Sequence, residues 1–335
     1  MKNNFTDKLL AKKILQAKAM VEENTVICDF YNKMGLVNEE QSAPIFHALR
    51  KQGFRIFVGE KQGFPSFCTF SEYKSIQGYN DIIKTNENTI GVAICADLHL
   101  GSIDDCIEYV NGLINYCLRN NIHDIIILGD LIEGIEYFKT HNNSSLLRFE
   151  PDIYTQLKYV NDVLPQVPGI TYHMVFGNHD VYTVNGVSYD IIKDLKNIFG
   201  RTDFKVIGCD HGKLQINRDH FKFLHSCMSG VNQTRSKHKQ NLTFYGGNHR
   251  SEYVTDLNKV SFNKTVPPLS NKKPSKPIED GIMVFPGFID FRIEFESDQT
   301  AQNLYINDIA FTNPNNYSYC QCLETKKILN YRVRK

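Results

Sequence analysis

The chain has no tryptophan, no long apolar run free of charge, and almost no net charge, since 38 basic and 37 acidic residues leave a formal +1. The missing apolar run argues against a membrane-spanning helix, which needs about 20 consecutive residues of that kind. A soluble protein with no membrane partner is expected. The balanced charge removes any global electrostatic case for a nucleic-acid partner. Only the C-terminal end, with Lys326, Lys327, Arg332, Arg334 and Lys335, is locally basic. The missing tryptophan, beside plentiful Phe and Tyr, points to no function. The cysteines stand singly apart from Cys320 and Cys322, and none has the spacing of a zinc ribbon or a redox dithiol. They read as reduced, mostly buried packing residues. The first residues lack the apolar stretch and small-residue cleavage site of a secretory signal, so a cytoplasmic protein is expected.

What is present suffices for one large α/β domain and a small appended one. Residues 1–86 read as a separate module. Leu9, Leu10, Ile14, Ala17 and Met20 recur with a helical rhythm, Thr25 is placed to cap a second helix that ends at Gly35, and Ile45, Phe46 and Leu49 mark a third that stops at Gly53. Strands are expected over 54–58 and 67–70. Helix, turn, helix and hairpin resemble a winged helix-turn-helix domain. A helical cap without a nucleic-acid role explains the same pattern, because Glu39 and Glu40 open the would-be recognition helix where a groove reader presents donors or cations. A protein partner or a dimer through residues 1–86 stays open as well.

Residues 87–335 alternate strand and helix. Strands are expected over 89–96, 124–128 and 170–175, and helices over 103–119, 153–164 and 189–199, which predicts a layered α/β domain. Segments 221–225 and 242–245 suggest a second sheet. Residues 261–280, rich in Lys, Pro, Ser and Asn, read as a long surface loop before apolar runs at 282–288 and 291–295.

Three motifs stand where a strand ends, the edge at which open α/β sheets place their sites. Asp97-Leu98-His99 sets a carboxylate and an imidazole two residues apart. Gly129-Asp130 gives a sharp exit and a carboxylate able to bridge two cations. Gly177-Asn178-His179-Asp180 adds an amide oxygen and an imidazole in one turn.

This ordered set resembles the calcineurin-like metallophosphoesterase superfamily over roughly residues 89–295. The resemblance implies an α/β fold of the four-layer αββα sandwich type and a hydrolase of phosphoric esters. It implies two divalent metal ions, with Asp97, His99, Asp130 and Asn178 as ligands and Asp130 bridging. His179 would be the acid or charge stabiliser near the leaving oxygen, held by Asp180. The family pattern also contains a later single His, for which His225 fits, and a final Gly-His-x-His. Here that motif is Gly246-Gly247-Asn248-His249, so only His249 carries over as a ligand, while Asn248, His238 or water is left to fill the gap at Gly247. Mixed nitrogen and oxygen ligands suit Mn²⁺, Fe or Zn²⁺ better than Mg²⁺, and Mn²⁺ is expected to activate. Two such ions neutralise phosphoryl oxygens and supply hydroxide near neutral pH for in-line attack. His47, His123, His141, His173, His211 and His220 are read as packed or solvated.

Protein phosphatases of this superfamily extend the second motif with an Asp and an Arg that grips phosphate, where this chain has Glu133 and Gly134. The remaining pattern is similar to the DNA-repair exonuclease and nucleic-acid phosphodiesterase branches, so a nuclease or nucleic-acid phosphodiesterase is expected. The alternatives are a phosphodiesterase or phosphatase on a small nucleotide or metabolite, and a DNA-binding or adaptor protein whose metal centre has decayed at Gly247.

Overall fold

The structure is a computed structural model that describes residues 7–52, 54–134, 147–149, 152–184, 187–225, 242–249, 251–256, 261–272, 285–311, 319–320 and 327–330. It divides into two units, residues 1–79 with 181–191, and residues 80–180 with 192–335.

In the first unit, helix Asp7–Glu22 is followed by strand Thr25–Val26, helices Ile27–Met34 and Glu39–Lys51, strands Ile56–Lys61 and Phe64–Thr69, and helix Phe70–Gln77. The helical rhythm buries Ala17, Met20 and Val21 against Phe30, Met34, Ile45, Phe46 and Leu49. Phe67 closes this core edge-on to Phe30 and Phe46, each at 5.0 Å between ring centres. Thr25 does not cap the second helix: its hydroxyl donates to the Met20 carbonyl, and Val26 holds the cap position without a side-chain bond. Asn38 caps the third helix by accepting from Gln41 N at 3.1 Å. Glu39 and Glu40 fall in that helix's first turn, where the helix dipole favours acids. The expected stop at Gly53 lies outside the described residues. The sheet of this unit is completed by a hairpin not read from the sequence, Val181–Val184 with Val187–Asp190, whose Ser188 pairs in parallel with Phe57. The helix expected from residue 189 therefore begins at Ile191.

In the second unit, strands Thr89–Cys95, Asp124–Leu128, Thr171–Phe176 and Phe204–Cys209 lie side by side in parallel. A tight antiparallel turn at Cys209–His211 leads into His211–Ile216, Asp219–His225, Leu242–Gly246 and Ser261–Thr265. On the other flank, Gly287–Phe295 and Ala301–Phe311 add antiparallel strands to Thr89–Cys95. Strand pairing is continuous, yet the two halves share one core. Phe291 stands 5.3 Å from Phe221 and 5.1 Å from Phe244 between ring centres, which packs one half of the sheet on the other. Alternation decides the faces: Val92, Ile94 and Ala96 enter this core, while helix Ile107–Arg119 buries Val110, Leu113 and Cys117. That helix stacks Tyr109 on Phe311 at 5.0 Å. A mixed α/β fold with a large folded sheet and flanking helices follows, as the motifs implied.

Two further expectations need correction. The helix expected from residue 103 starts at Ile107, because residues 101–105 are taken up by a turn in which Gly101 N donates to Asp105 Oδ2 at 2.8 Å. Residues 261–272 are not a surface loop. Ser261–Thr265 is a strand, and Val266 and Leu269 are fully buried where the chain returns across the sheet ends. Residues 273–284 and the basic residues Lys326, Arg332, Arg334 and Lys335 lie outside the described residues. Among the described residues, Cys68, Cys95, Cys106, Cys117 and Cys209 are free and buried and Cys28 is free and exposed, and no helix is long and apolar enough to cross a membrane.

Candidate metal centre

The three parallel strands Thr89–Cys95, Asp124–Leu128 and Thr171–Phe176 end at one edge, so the three motifs that follow them emerge together. Strands Asp219–His225 and Leu242–Gly246 run parallel to each other and bring His225 and His249 to the same edge. The loops are tightly wound. Asp97, His99, Asp130 and His249 have φ of 54°, 47°, 56° and 50°, left-handed conformations that cost an L-residue roughly 1–2 kcal/mol each. Cross-loop bonds hold them: Asp97 N donates to Gly129 O at 3.0 Å and His99 N to Asp130 O at 2.9 Å. Gly129 combines a left-handed φ of 76° with close approach, since a Cβ there would lie 2.3 Å from His225 Nδ1.

The side chains converge. Asp97, His99 and His249 form one group with ligand-type atoms within 4.8 Å of one another, and Asp97, Asp130 and His225 form another. Asn178 Oδ1 lies 3.2 Å from His225 Nε2, which is itself 3.1 Å from Asp130 Oδ2. Ring orientation follows from what each Nδ1 meets. His225 Nδ1 donates to Leu128 O at 2.6 Å and His179 Nδ1 to Glu133 O, while His99 Nδ1 faces the Glu133 carboxylate at 2.9 Å. Each contact turns Nε2 inward, toward Asp130 Oδ2 at 3.1 Å for His225, 3.7 Å for His99 and 3.9 Å for His179. An acceptor on Nδ1 that presents Nε2 is the arrangement found behind metal-ligating histidines.

Electrostatics follow from this convergence. Burial alone would raise the Asp130 carboxyl, but the neighbouring His225, His179 and His99 hold it well below the carboxylate range. Burial works against charging His225 too, yet Asp130 and Asp97 raise it well above an ordinary imidazole. His99 is pushed down to about 3, chiefly by burial. Asp97 is raised by burial. Its Oδ2 accepts from Gly247 N at 3.0 Å, whereas its buried Oδ1 has no hydrogen-bond partner among the described residues.

Asp180 differs from the expectation that it holds His179. Its carboxylate accepts from the main-chain N–H of Gly177, Asp130 and Leu131 at 2.7 Å and of Ile132 at 3.3 Å, so it braces the second and third motifs against each other. The His179 ring is held by the Glu133 carbonyl instead. Gly247 contributes a backbone amide to Asp97 where the family pattern has an imidazole. Asn248 has a buried Nδ2 without a hydrogen-bond partner among the described residues, and His238 and His141 lie outside them. His173 pairs with Asp124 at 2.6 Å and His123 with Asn121 at 3.0 Å, away from this centre. Glu133, and Lys272 whose Nζ meets it at 2.7 Å, were not read as site residues. Only the third dimension brings residue 272 to residue 133.

This donor set suits divalent cations: imidazole, carboxylate and amide oxygen together are first-row metal chemistry. Asp97 Oδ1, without a hydrogen bond among the described residues, and the two ring nitrogens His99 Nε2 and His249 Nε2, facing each other at 3.3 Å, are arrangements that a bound cation satisfies.

Solved structures similar to this chain include Vps29 from Chaetomium thermophilum, at 12% identity, covering 73% of this chain and 97% of that one with a TM-score of 0.36. Yfce, a phosphoesterase from E. coli, matches at 14% identity over 63% of this chain and 96% of its own, TM-score 0.37. The nuclease MPE of Pseudomonas putida matches at 14% identity over 59% of this chain and 82% of its own, TM-score 0.35. No curated protein matches the chain in sequence. The family model described as calcineurin-like phosphoesterase matches residues 90–309, a span that begins in the strand before Asp97 and takes in every residue of the converging set. By that match the chain belongs to the calcineurin-like phosphoesterases, a family of hydrolases of phosphoric esters.

Proposed function

We propose that the chain is a phosphodiesterase acting on nucleic acid, a nuclease working through two divalent metal ions. The observation that carries this reading is the convergence of Asp97, His99 and His249 beside Asp97, Asp130 and His225. In the proposal Asp97, His99 and His249 would hold one ion and Asp130, Asn178 and His225 the other, with the Asp130 carboxylate available to both. Bound ions supply Lewis acidity, which neutralises phosphoryl oxygens and lowers the pKa of water. Mn²⁺ is the proposed activating ion in vitro, with Fe and Zn²⁺ as the other fits to mixed ligands. His179, whose Nδ1–H is held by Glu133 O, would act as the imidazolium, giving its Nε2 proton to the leaving oxygen and ending as the neutral ring protonated at Nδ1. Asp180 keeps the loops that carry Asp130 and His179 in register through its four amide contacts.

Two features support nucleic acid over a phosphoprotein. Gly134 stands where the phosphatase branch has its phosphate-gripping Arg. The helix, strand, helix, helix, strand, strand order of the first unit, with Thr25–Val26 paired to Phe64–Thr69, supports a winged helix-turn-helix-like module in residues 1–86 beside a hydrolase domain in 87–335. The buried free thiols favour a reducing, cytoplasmic setting. Gly247 favours one second reading, an adaptor with an incomplete centre, and metal content separates the two.

The test is an assay of the purified chain with Mn²⁺ against single- and double-stranded DNA, bis-p-nitrophenyl phosphate and p-nitrophenyl phosphate. Cleavage of DNA and of the diester is expected. Hydrolysis of the monoester alone removes the nuclease, and no turnover with one or no bound ion supports the adaptor. Asp130→Asn should lose both turnover and metal, while His179→Ala should lose turnover and keep metal.

A further inference from the structure

The Glu133 carboxylate and Lys272 have no part in the reading above, which uses only the Glu133 carbonyl, yet both press against it. The Glu133 side chain is buried, and its carboxylate contacts two nitrogens: His99 Nδ1 at 2.9 Å, and Lys272 Nζ at 2.8 Å through Oε1 and 2.7 Å through Oε2. Lys272 Nζ also lies 3.3 Å from His99 Nδ1. Through its main-chain carbonyl Glu133 also accepts from His179 Nδ1. Glu133 thus touches two imidazoles of the centre, one by side chain and one by backbone.

Lys272 reaches this position by a built path. Leu269 N donates to Ala96 O and Ser270 Oγ to Asp97 O, both at 2.8 Å, which fastens the segment along the first motif two residues before the lysine. A carboxylate buried beside imidazoles has two roles open to it. It can accept from His99 Nδ1–H and direct Nε2 toward Asp130 and His249, or it can ligate an ion itself, since donor atoms of His99, Glu133 and His179 lie within 4.8 Å of one another. An ammonium on both carboxylate oxygens satisfies the charge that an ion would otherwise satisfy, and it repels a divalent cation from that spot.

We propose that Glu133, neutralised by Lys272, is a positioning residue that fixes the tautomer and angle of His99 so that its Nε2 serves the metal centre, and that Lys272 keeps Glu133 from becoming a ligand. This inference rests on the two-metal reading of the site.

The experiment is calorimetric titration of the full chain with Mn²⁺, paired with ¹⁵N NMR of the histidine tautomers, for the wild type, Glu133→Ala, Glu133→Gln and Lys272→Met. The wild type should bind two ions with His99 protonated at Nδ1. Glu133→Ala should weaken one of the two sites about 10–100-fold, the usual effect of removing a carboxylate behind a ligating histidine, and His99 should shift to mixed tautomers. Glu133→Gln, whose amide oxygen still accepts from Nδ1–H, should recover most of that loss, a rescue that a folding defect would not produce. Lys272→Met should admit a further, weaker Mn²⁺. Two ions on the wild type, with Glu133→Ala matching it in affinity and tautomer, overturns the positioning role alone. No further ion on Lys272→Met overturns the role given to the lysine. A wild type that binds no Mn²⁺ overturns the metal reading instead.

Discussion

Replacing Gly177 by alanine tests whether the centre depends on close approach between loops. The added Cβ would lie 2.3 Å from Asp130 Oδ1, 2.7 Å from Asp130 N and 2.9 Å from His225 Cδ2. Gly177 is not among the glycines with left-handed φ, so the requirement here is room alone. None of these neighbours can retreat cheaply. Asp130 N is held by Asp180 Oδ2 at 2.7 Å, and the His225 ring by Leu128 O at 2.6 Å. To regain an ordinary contact, Asp130 Oδ1 must move by roughly an ångström, several times the ~0.2 Å tolerance of a metal-ligand distance. Overpacking of this kind costs about 1–3 kcal/mol, and because main chain is involved the upper part of that range is expected.

Gly63→Ala is the control. Its φ is 82° with nothing near the new Cβ, so about 1–2 kcal/mol of backbone strain is expected, without steric conflict. Urea unfolding of the metal-free protein and Mn²⁺ calorimetry separate the two variants. Gly177→Ala should lose about 2–3 kcal/mol of stability and bind Mn²⁺ at least ten times more weakly at one site, while Gly63→Ala should bind as the wild type does. Unchanged Mn²⁺ affinity in Gly177→Ala would refute the argument that Asp130 and His225 are held in place by close packing.

Asp180→Ala should destabilise the chain by about 3 kcal/mol or more in urea unfolding, because it leaves buried amide donors orphaned at about 1–3 kcal/mol each; a loss below about 1 kcal/mol counts against the bracing role. Asp130 and Asp97 raise the pKa of His225, so the metal-free ring carries a proton near neutrality that a binding cation must displace. Mn²⁺ binding should therefore release protons and weaken as pH falls, and calorimetry in buffers of different ionisation enthalpy that finds no release contradicts this.

Much of the chain was legible in residue order. Strand Asp124–Leu128 has the bounds that its apolar run predicts, and the three motifs after strands follow from short-range pattern, because a period of two and a glycine exit are local properties. Other features were hidden because they depend on pairing between distant segments. The hairpin of Val181–Val184 and Val187–Asp190 is strand only through its place in the first unit's sheet. Residues 261–272, polar enough to read as loop, carry the strand Ser261–Thr265 and buried Val266 and Leu269. Asp180, expected to hold His179, meets four amides instead, since its oxygens fall where two loops cross.

Residue order alone determined the family and the chemical identity of the donors, for carboxylates, imidazoles and an amide at strand ends are written one after another along the chain. Tertiary structure decided which of them meet and how they are aimed: the inward Nε2 of His99, His179 and His225 is set by Glu133 and Leu128, and the ammonium beside Glu133 arrives from Lys272. The physical reason is range. A side chain's donor type is a property of one residue, while its orientation and charge depend on neighbours that only the folded sheet brings within hydrogen-bonding distance.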